Sequence, residues 1–182
     1  LTFGNLTLEI PLDYYNFQRP FVTRINSTGE FSWATTVTPS SNYHRTLQGM
    51  AVHEDGGVDV LMRGYGSTTL GNISTGPDSV HYTIGRLNVS GNWTDSSTIL
   101  SEDPAGFSAS HDSAMMEAES DGDLVMAIWT TSDTNRLNIS GITQWFNESC
   151  ADSMVVLRVN GSSLAASSSR EFCLSEGASQ TA

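Results

Sequence analysis

The stretch RINSTGEF at residues 24–31 is written three times in this chain. It returns as RLNVSGNW at residues 86–93 and, in a shorter form, as RVNGSS at residues 158–163. Each copy places an Arg and an aliphatic residue before an Asn, and the first two copies continue with Gly and an aromatic residue. Internal repetition of this kind indicates a stacked array of similar units, whose function lies on the surface that the array presents.

A second phrase repeats too, at offsets of 67 residues, whereas the copies of the Arg phrase are 62 and 72 residues apart. FGNLT at residues 3–7 is echoed by LGNIS at 70–74 and by the shorter LNIS at 137–140, while 50–62 aligns with 116–128 through a shared Asp-Gly. We therefore predict a half unit at 1–43, full units at 44–110 and 111–175, and a polar tail at 176–182. Because the copies start within a unit, we expect the chain to be a segment of a larger protein.

The chain has no helical periodicity, and Gly, Asn, Asp and Ser interrupt it about every 8–12 residues, which is typical of an all-β protein. The second strand of each full unit, at 58–62 and 124–129, is mostly apolar without alternation. Such strands have both faces covered. The predicted strands are 21–25 and 31–37 in the first unit, 47–52, 58–64, 80–87 and 93–100 in the second, and 113–119, 124–130, 153–159 and 170–174 in the third.

The fixed order of these features resembles a known family. Strand, Asp-Gly turn, strand, Gly-Asn phrase and Arg phrase follow one another as in the SBBP-type repeat of seven-bladed β-propellers, which occurs in large secreted and cell-surface proteins of bacteria and archaea. The resemblance runs from residue 3 to about residue 174 and implies four-stranded antiparallel meander blades, about two and a half of them. It implies no catalytic residues. The third copy departs from the pattern, since it lacks the turn Gly and carries a Ser-rich stretch at 162–169. The alternative fold is a β-sandwich.

Composition excludes several partners. The formal net charge is −12, with eight Arg and no Lys, so nucleic acid and anionic membrane surfaces are repelled. No run of about 18 apolar residues occurs, and no membrane span is predicted.

The two cysteines are Cys150 and Cys173. If 160–163 is a hairpin turn, they fall at nearly opposite positions on its two arms, so a cross-strand disulfide is the favoured interpretation and two free thiols are the alternative. A disulfide would imply an oxidising compartment.

Eight of the eleven asparagines begin an Asn-x-Ser/Thr triplet, more than the composition alone would give. The excess favours a secreted chain with glycosylation acceptors. Turn geometry is the competing explanation, because Asn tolerates left-handed backbone and bonds its own backbone. The eight acceptors are Asn5, Asn26, Asn72, Asn88, Asn92, Asn138, Asn147 and Asn160.

Candidate chemistry is sparse. The four histidines fit no known ligand spacing, and no nucleophile or phosphate motif occurs. His111 and Asp112 precede a predicted strand and Trp145 lies in an irregular insertion, so these three are the predicted ligand contacts. The acidic turns at 54–59 and 119–123 offer carboxylates for Ca²⁺ without the full calcium-loop spacing. Ordinary hairpin turns are favoured there, and neither a cofactor nor a metal site is predicted.

We expect an extracellular or cell-surface β-propeller module that binds a glycan or another surface protein, or acts as a structural scaffold, without catalysis of its own. Its other partners would be the remaining blades of the parent protein. The alternative is a fragment of a propeller enzyme acting on glycans, a hydrolase or a lyase, with catalytic residues from several blades.

Overall fold

The computed structural model describes residues 2–8, 20–39, 45–75, 80–101, 114–131, 136–139, 142–145 and 150–176. Within these ranges every regular element is a β-strand and every strand pair is antiparallel. The predicted all-β class is therefore confirmed. These described residues include no helix that is long and apolar enough to cross a membrane.

The strands fall into three units. The first unit comprises β1 (Thr2–Phe3), β2 (Leu6–Thr7), β3 (Phe21–Ile25), β4 (Phe31–Thr36) and β5 (Thr38–Pro39). The second comprises β6 (Arg45–Val52), β7 (Val58–Tyr65), β8 (Thr68–Leu70), β9 (Ile73–Thr75), β10 (Val80–Leu87) and β11 (Trp93–Ser101). The third comprises β12 (Ala114–Ala118), β13 (Leu124–Thr131), β14 (Arg136–Ile139), β15 (Ile142–Trp145), β16 (Cys150–Val159) and β17 (Ala166–Glu176). All ten predicted strands are present.

The second and third units each contain a four-stranded meander, with strand orders β6-β7-β10-β11 and β12-β13-β16-β17. Leu61 of β7 joins an apolar cluster with Met126 of β13 and Leu157 of β16. On the other side of the same strand, Val60 and Met62 join a second cluster with the first unit. The second unit is thus covered on both faces, as the apolar runs predict. This face-to-face packing of open sheets is compatible with partial propeller blades and with a β-sandwich.

One turn geometry recurs in all three units. In the turns that begin at Asn26, His53, Asn88 and Glu119, the first residue bonds through its N–H to the fifth residue's carbonyl and through its carbonyl to the fourth residue's N–H. The fourth residue is always a glycine with φ of 79–86°, the left-handed position of a three-residue hairpin loop with a bulge. In the third Arg phrase, Leu164 takes this position with φ 52° after one additional residue. The missing glycine is thus replaced by a leucine whose side chain is fully buried.

The Gly-Asn phrase forms a hairpin. Gly71 has φ 58° and, with Asn72, separates β8 from β9. In the third unit the pairing of Ile139 with Ile142 closes the equivalent hairpin. The alignment of LNIS with LGNIS was therefore wrong by two to three residues, since Leu70 corresponds to Ile139 and Ile73 to Ile142. It matched the shared letters, whereas strand register is set by where the turn falls, and Asn138 lies inside β14.

Each such hairpin pairs with the last strand of the preceding unit, and at the first junction β5, β8 and β9 form a separate three-stranded sheet. β8 pairs with β5 of the first unit, with Thr69 opposite Thr38. β14 pairs with β11 of the second unit, with Asn138 opposite Leu100. The registers are equivalent, because Thr38 and Leu100 each lie seven residues after the aromatic residue that ends the Arg phrase. The second unit's sheet consequently has six strands, of which β14 and β15 come from the third unit.

Candidate functional site

A cleft of about 910 Å³ opens between the hairpin turns of the second and third units. Turn residues from both units line it: Val52, His53, Glu54, Asp55, Gly57, Arg86, Leu87, Asn88, Thr94, Ala118, Glu119, Ser120, Asp121, Gly122, Asp123, Asn160, Gly161 and Ser162. The cleft lies at the turn end of the array because the recurrent five-residue turns of neighbouring units point in the same direction.

A buried ion pair supports the cleft from below. The Asp59 side chain is fully buried and accepts hydrogen bonds from Arg86 Nε at 2.8 Å and from Arg86 Nη2 at 2.6 Å. His53 Nε2 lies 2.6 Å from the same carboxylate. The hydrogen bonds to Asp59 raise the pKa of Arg86, and the negative charges of Asp59, Asp95 and Asp55 raise it further against the cost of burial. The guanidinium therefore stays charged, and the Asp59 carboxylate contacts both Arg86 and His53.

The Arg of the repeated phrase also joins consecutive units. Arg86 Nη1 donates a hydrogen bond to the carbonyl of Gly161 in the third unit. Arg24 Nη1 makes the equivalent bond from the first unit to the carbonyl of Val89, at 3.2 Å. Val89 and Gly161 each lie three residues after the Arg of their own phrase. Each bond thus runs from the Arg of one copy to the turn of the next copy. Trp33 Nε1 donates to the Val89 carbonyl as well, at 2.9 Å.

Arg158, in the third copy, contacts carboxylates of its own unit. Its Nη2 atom lies 2.9 Å from Glu119 Oε2 and also contacts Asp121, while its Nε atom donates to Asp123 Oδ2 at 3.0 Å. The hydrogen bond that Arg158 donates to Asp123 and the negative charges of the three carboxylates raise the pKa of Arg158. The backbone N–H of Gly161, 2.9 Å from Asp123 Oδ1, lowers the pKa of Asp123, and Arg158 lowers it further.

The carboxylates of the acidic turns have partners within the chain. In 119–123 the carboxylates bond an arginine, and in the turn that begins at His53 the Asp55 carboxylate accepts the Gly57 N–H at 2.8 Å. Across the described ranges, no group of three or more His, Cys, Asp or Glu side chains is placed to hold a metal ion. The turns are built as ordinary hairpins. Their exposed carboxylates give both walls of the cleft a negative charge.

A disulfide joins Cys150 and Cys173, with a Cα–Cα distance of 5.6 Å. It links β16 to β17 near their far ends, where the pairing is irregular: Cys150 lies opposite Glu176, and Cys173 lies opposite Ser153. The disulfide is therefore cross-strand but joins residues that are not directly opposite.

Of the three predicted ligand contacts, only Trp145 lies within the described residues. His111 and Asp112 lie outside the described residues, as does the acceptor Asn147. Trp145 is the last residue of β15, and its backbone pairs with Arg136 at the edge of the second unit's sheet.

Three of the glycosylation acceptors have a structural role in turns. Asn26, Asn88 and Asn160 each begin an Arg-phrase turn, and each Oδ1 accepts two backbone N–H groups at 2.9–3.1 Å. Side-chain bonding thus accounts for these asparagines, but left-handed backbone does not, because the one described non-glycine residue with positive φ is Leu164. Of the remaining acceptors, Asn5, Asn72 and Asn92 are exposed and Asn138 is half-buried.

Asp59 was predicted to belong to the acidic turn 54–59, but it lies in β7 and is fully buried. It interrupts the apolar run VDVLM at 58–62, and an acidic residue in a strand covered on both faces requires a buried partner. This single polar residue in an apolar strand was the available signal of a buried ion pair. Its partners could not be identified in the same way, since His53 and Arg86 belong to other parts of the unit.

Comparison with protein-family models and with curated proteins finds no match to this chain. The site is therefore interpreted from its own geometry. It is a cleft between two repeated units, with acidic walls and a base fixed by a buried ion pair.

Proposed function

We propose that this chain is a secreted or cell-surface module of propeller-type repeat units that binds a partner through the turn end of the array and catalyses no reaction of its own. Face-to-face packing of similar meanders supports the array. The Cys150–Cys173 disulfide supports an oxidising compartment such as the cell exterior.

The cleft between the second and third units carries the proposal. Its volume of about 910 Å³ is at the upper end of typical ligand sites and can receive several side chains of an extended segment. Glu54 and Asp55 lie on one wall, and Glu119 and Asp121 lie on the other. The four side chains are exposed. Arg158 offsets one of the three negative charges of Glu119, Asp121 and Asp123, so this wall still keeps a net negative charge.

Charge complementarity selects the ligand class. The floor of the cleft contributes little to the electrostatic field, because the charge of Asp59 is paired with that of Arg86. The acidic walls and the net charge of −12 favour cationic ligands. We therefore propose that the cleft binds an Arg- or Lys-rich segment of another surface protein.

The test is a fluorescence-anisotropy titration of the chain with a labelled peptide that carries several Arg and Lys residues. Ser120 is an exposed residue in the lining, and Ser120→Trp should fill the cleft and weaken peptide binding by at least ~10-fold. The matched control is Ser32→Trp, at an exposed position on β4, which should bind as the unmodified chain does. Affinity should fall as salt rises, because the interaction is between exposed charges.

Neutral oligosaccharides form the second arm of the experiment. Peptide binding that Ser120→Trp leaves unchanged would contradict the proposed site. Binding of neutral oligosaccharides in place of the peptide, sensitive to Ser120→Trp, would contradict the proposed ligand and favour a glycan.

A further inference from the structure

The two junctions between consecutive units use the same three contacts. In the first contact, the Arg of one phrase donates to a turn carbonyl of the next copy, as from Arg24 to Val89 and from Arg86 to Gly161. In the second, apolar side chains of adjacent meanders pack face to face. In the third, the Gly-Asn hairpin of the later unit pairs with the outer strand of the earlier one.

The outer face of the third unit carries the same elements as the faces that dock inside the array. Arg158 is the third copy of the junction arginine and is partly exposed. Phe172 takes the position of Ile99, because their strand partners Met154 and Tyr82 each lie four residues before the Arg of their phrase. Ile99 is fully buried in the junction, whereas Phe172 is 38% exposed. The groups that make contacts at an internal junction are therefore exposed on this face.

The first unit carries the complementary elements. Ile25 directly follows the Arg of its phrase, as Leu87 and Val159 do in theirs. Leu87 and Val159 are fully buried against the preceding unit, but Ile25 is 55% exposed. Ser27 holds the position of the acceptor carbonyls, three residues after its Arg. The β1–β2 hairpin pairs with no preceding unit among the described strands.

We propose that the third unit of one copy of this chain docks against the first unit of a second copy, head to tail, by repeating the internal junction. Arg158 then donates to the Ser27 carbonyl of the second copy, and Phe172 packs near its Ile25. The β1–β2 hairpin adds to the edge of β17. This inference concerns the two ends of the array and does not depend on the ligand proposed for the cleft.

The register of the added hairpin follows from the two junctions in the structure. Leu100, the residue after Ile99, lies opposite Asn138, which is one residue before the end of β14. The corresponding residues are Cys173, directly after Phe172, and Thr2, one residue before the end of β1. Thr2 of the second copy therefore lies opposite Cys173.

Such an interface is heterologous, with different surfaces on its two sides. Both copies carry a formal net charge of −12, so their long-range repulsion weakens association in dilute buffer and added salt strengthens it. The response to salt is thus opposite to that expected for the binding of a basic peptide in the cleft.

Sedimentation velocity over a concentration series tests the proposal with the full chain. Ile25→Asp blocks one end and Phe172→Asp blocks the other, and each should weaken self-association by at least ~10-fold. Met50→Asp is the matched control, because Met50 is equally apolar and 53% exposed but lies on the second unit. It should associate as the unmodified chain does. Leu174→Asp, at another exposed position on β17, gives a second block of the same end if Phe172→Asp does not fold.

A mixing experiment separates head-to-tail docking from any symmetric contact. Ile25→Asp retains an intact third unit and Phe172→Asp retains an intact first unit, so an equimolar mixture should form a 1:1 complex although each variant alone is monomeric. The proposal is overturned if the unmodified chain stays monomeric at about 1 mM, because its affinity for a second copy would then be weaker than a specific interface requires. It is also overturned if only one of the two substitutions weakens association, or if the mixture stays monomeric. Ser120→Trp should leave association unchanged, so failure of this proposal and failure of the cleft proposal are seen separately.

Discussion

Replacement of Asp59 by Asn tests the role of the buried ion pair without a change in side-chain size. The carboxylate is fully buried and bonds Arg86 through both oxygens, so the substitution leaves a guanidinium without its counter-charge. Breaking a buried pair by removal of one partner costs about 3–5 kcal/mol. We expect the lower value, about 3 kcal/mol, because the Arg86 side chain is still 20% exposed and keeps its bond to the Gly161 carbonyl.

The loss should appear in urea denaturation followed by far-UV circular dichroism. For a chain of this size, about 3 kcal/mol corresponds to a fall in Tm of roughly 6–12 °C. Asp121→Asn is the matched control, since it removes a carboxylate from an arginine at the same repeat position but at a site where the Asp121 side chain is 56% exposed. Its effect should be much smaller, because solvent already screens that pair.

The double variant Asp59→Leu with Arg86→Met completes the experiment. Because it removes both charges from the interior together, it should be more stable than Asp59→Asn. Equal losses for Asp59→Asn and Asp121→Asn would refute the reasoning, as would a double variant less stable than the single one. Either result would mean that burial does not set the energy of this pair.

Three further predictions concern the turns and the disulfide. The Gly161 N–H and Arg158 lower the pKa of Asp123 in the folded chain. The stabilisation that this carboxylate provides is therefore present above its ordinary pKa and is lost as pH falls through the lowered value, below about pH 4. Asp123→Asn should therefore reduce Tm at neutral pH, and the gap to the unmodified chain should close in acid; a gap that is the same at every pH would contradict this assignment. A Cβ on Gly91 would meet the Trp33 ring at 2.5 Å while φ is 79°, so Gly91→Ala should be destabilising in thermal unfolding, whereas Gly29→Ala, with the same positive φ and nothing within 4 Å, should cost less. Replacement of both cysteines by serine should lower the free energy of unfolding by about 3 kcal/mol for a sequence separation of 23 residues, and denaturation of the unmodified chain with and without reductant should show a loss of the same size.

The strands and their stacking could be predicted from the sequence because both depend on local pattern. The apolar run 58–62 lies in a strand that is covered on both faces, as predicted. For the run 124–129 the prediction was wrong, because the buried side chains alternate with half-buried ones on the outer face of the third unit. The five-residue turns were signalled by Gly and Asn at fixed positions. The local sequence pattern therefore predicts how each strand packs against its immediate neighbours.

The site was harder to predict, because its contacts join distant parts of the chain. Arg86 bonds Asp59, 27 residues away, and Gly161, 75 residues away. No local pattern encodes such pairs, although the repetition of the Arg phrase marked the residue that makes them. The hairpin in the third unit was misaligned for a related reason. Matching letters placed Asn138 in a turn, while pairing with β11 of the preceding unit placed it in a strand.

The hairpin of each unit pairs with a strand of the preceding unit. The boundaries of the sequence repeat therefore differ from the boundaries of the folded sheets. A cut at residue 110 follows the repeat, but it would take two of the six strands away from the second unit's sheet. Gene duplication, deletion or fusion that adds or removes one repeat therefore leaves an outer strand without its hairpin, or a hairpin without its strand, unless the flanking copies can exchange partners. The equivalent registers of β5 with β8 and of β11 with β14 meet this requirement. A hairpin that fits the outer strand of every copy allows such an array to change length during evolution without redesign of its junctions.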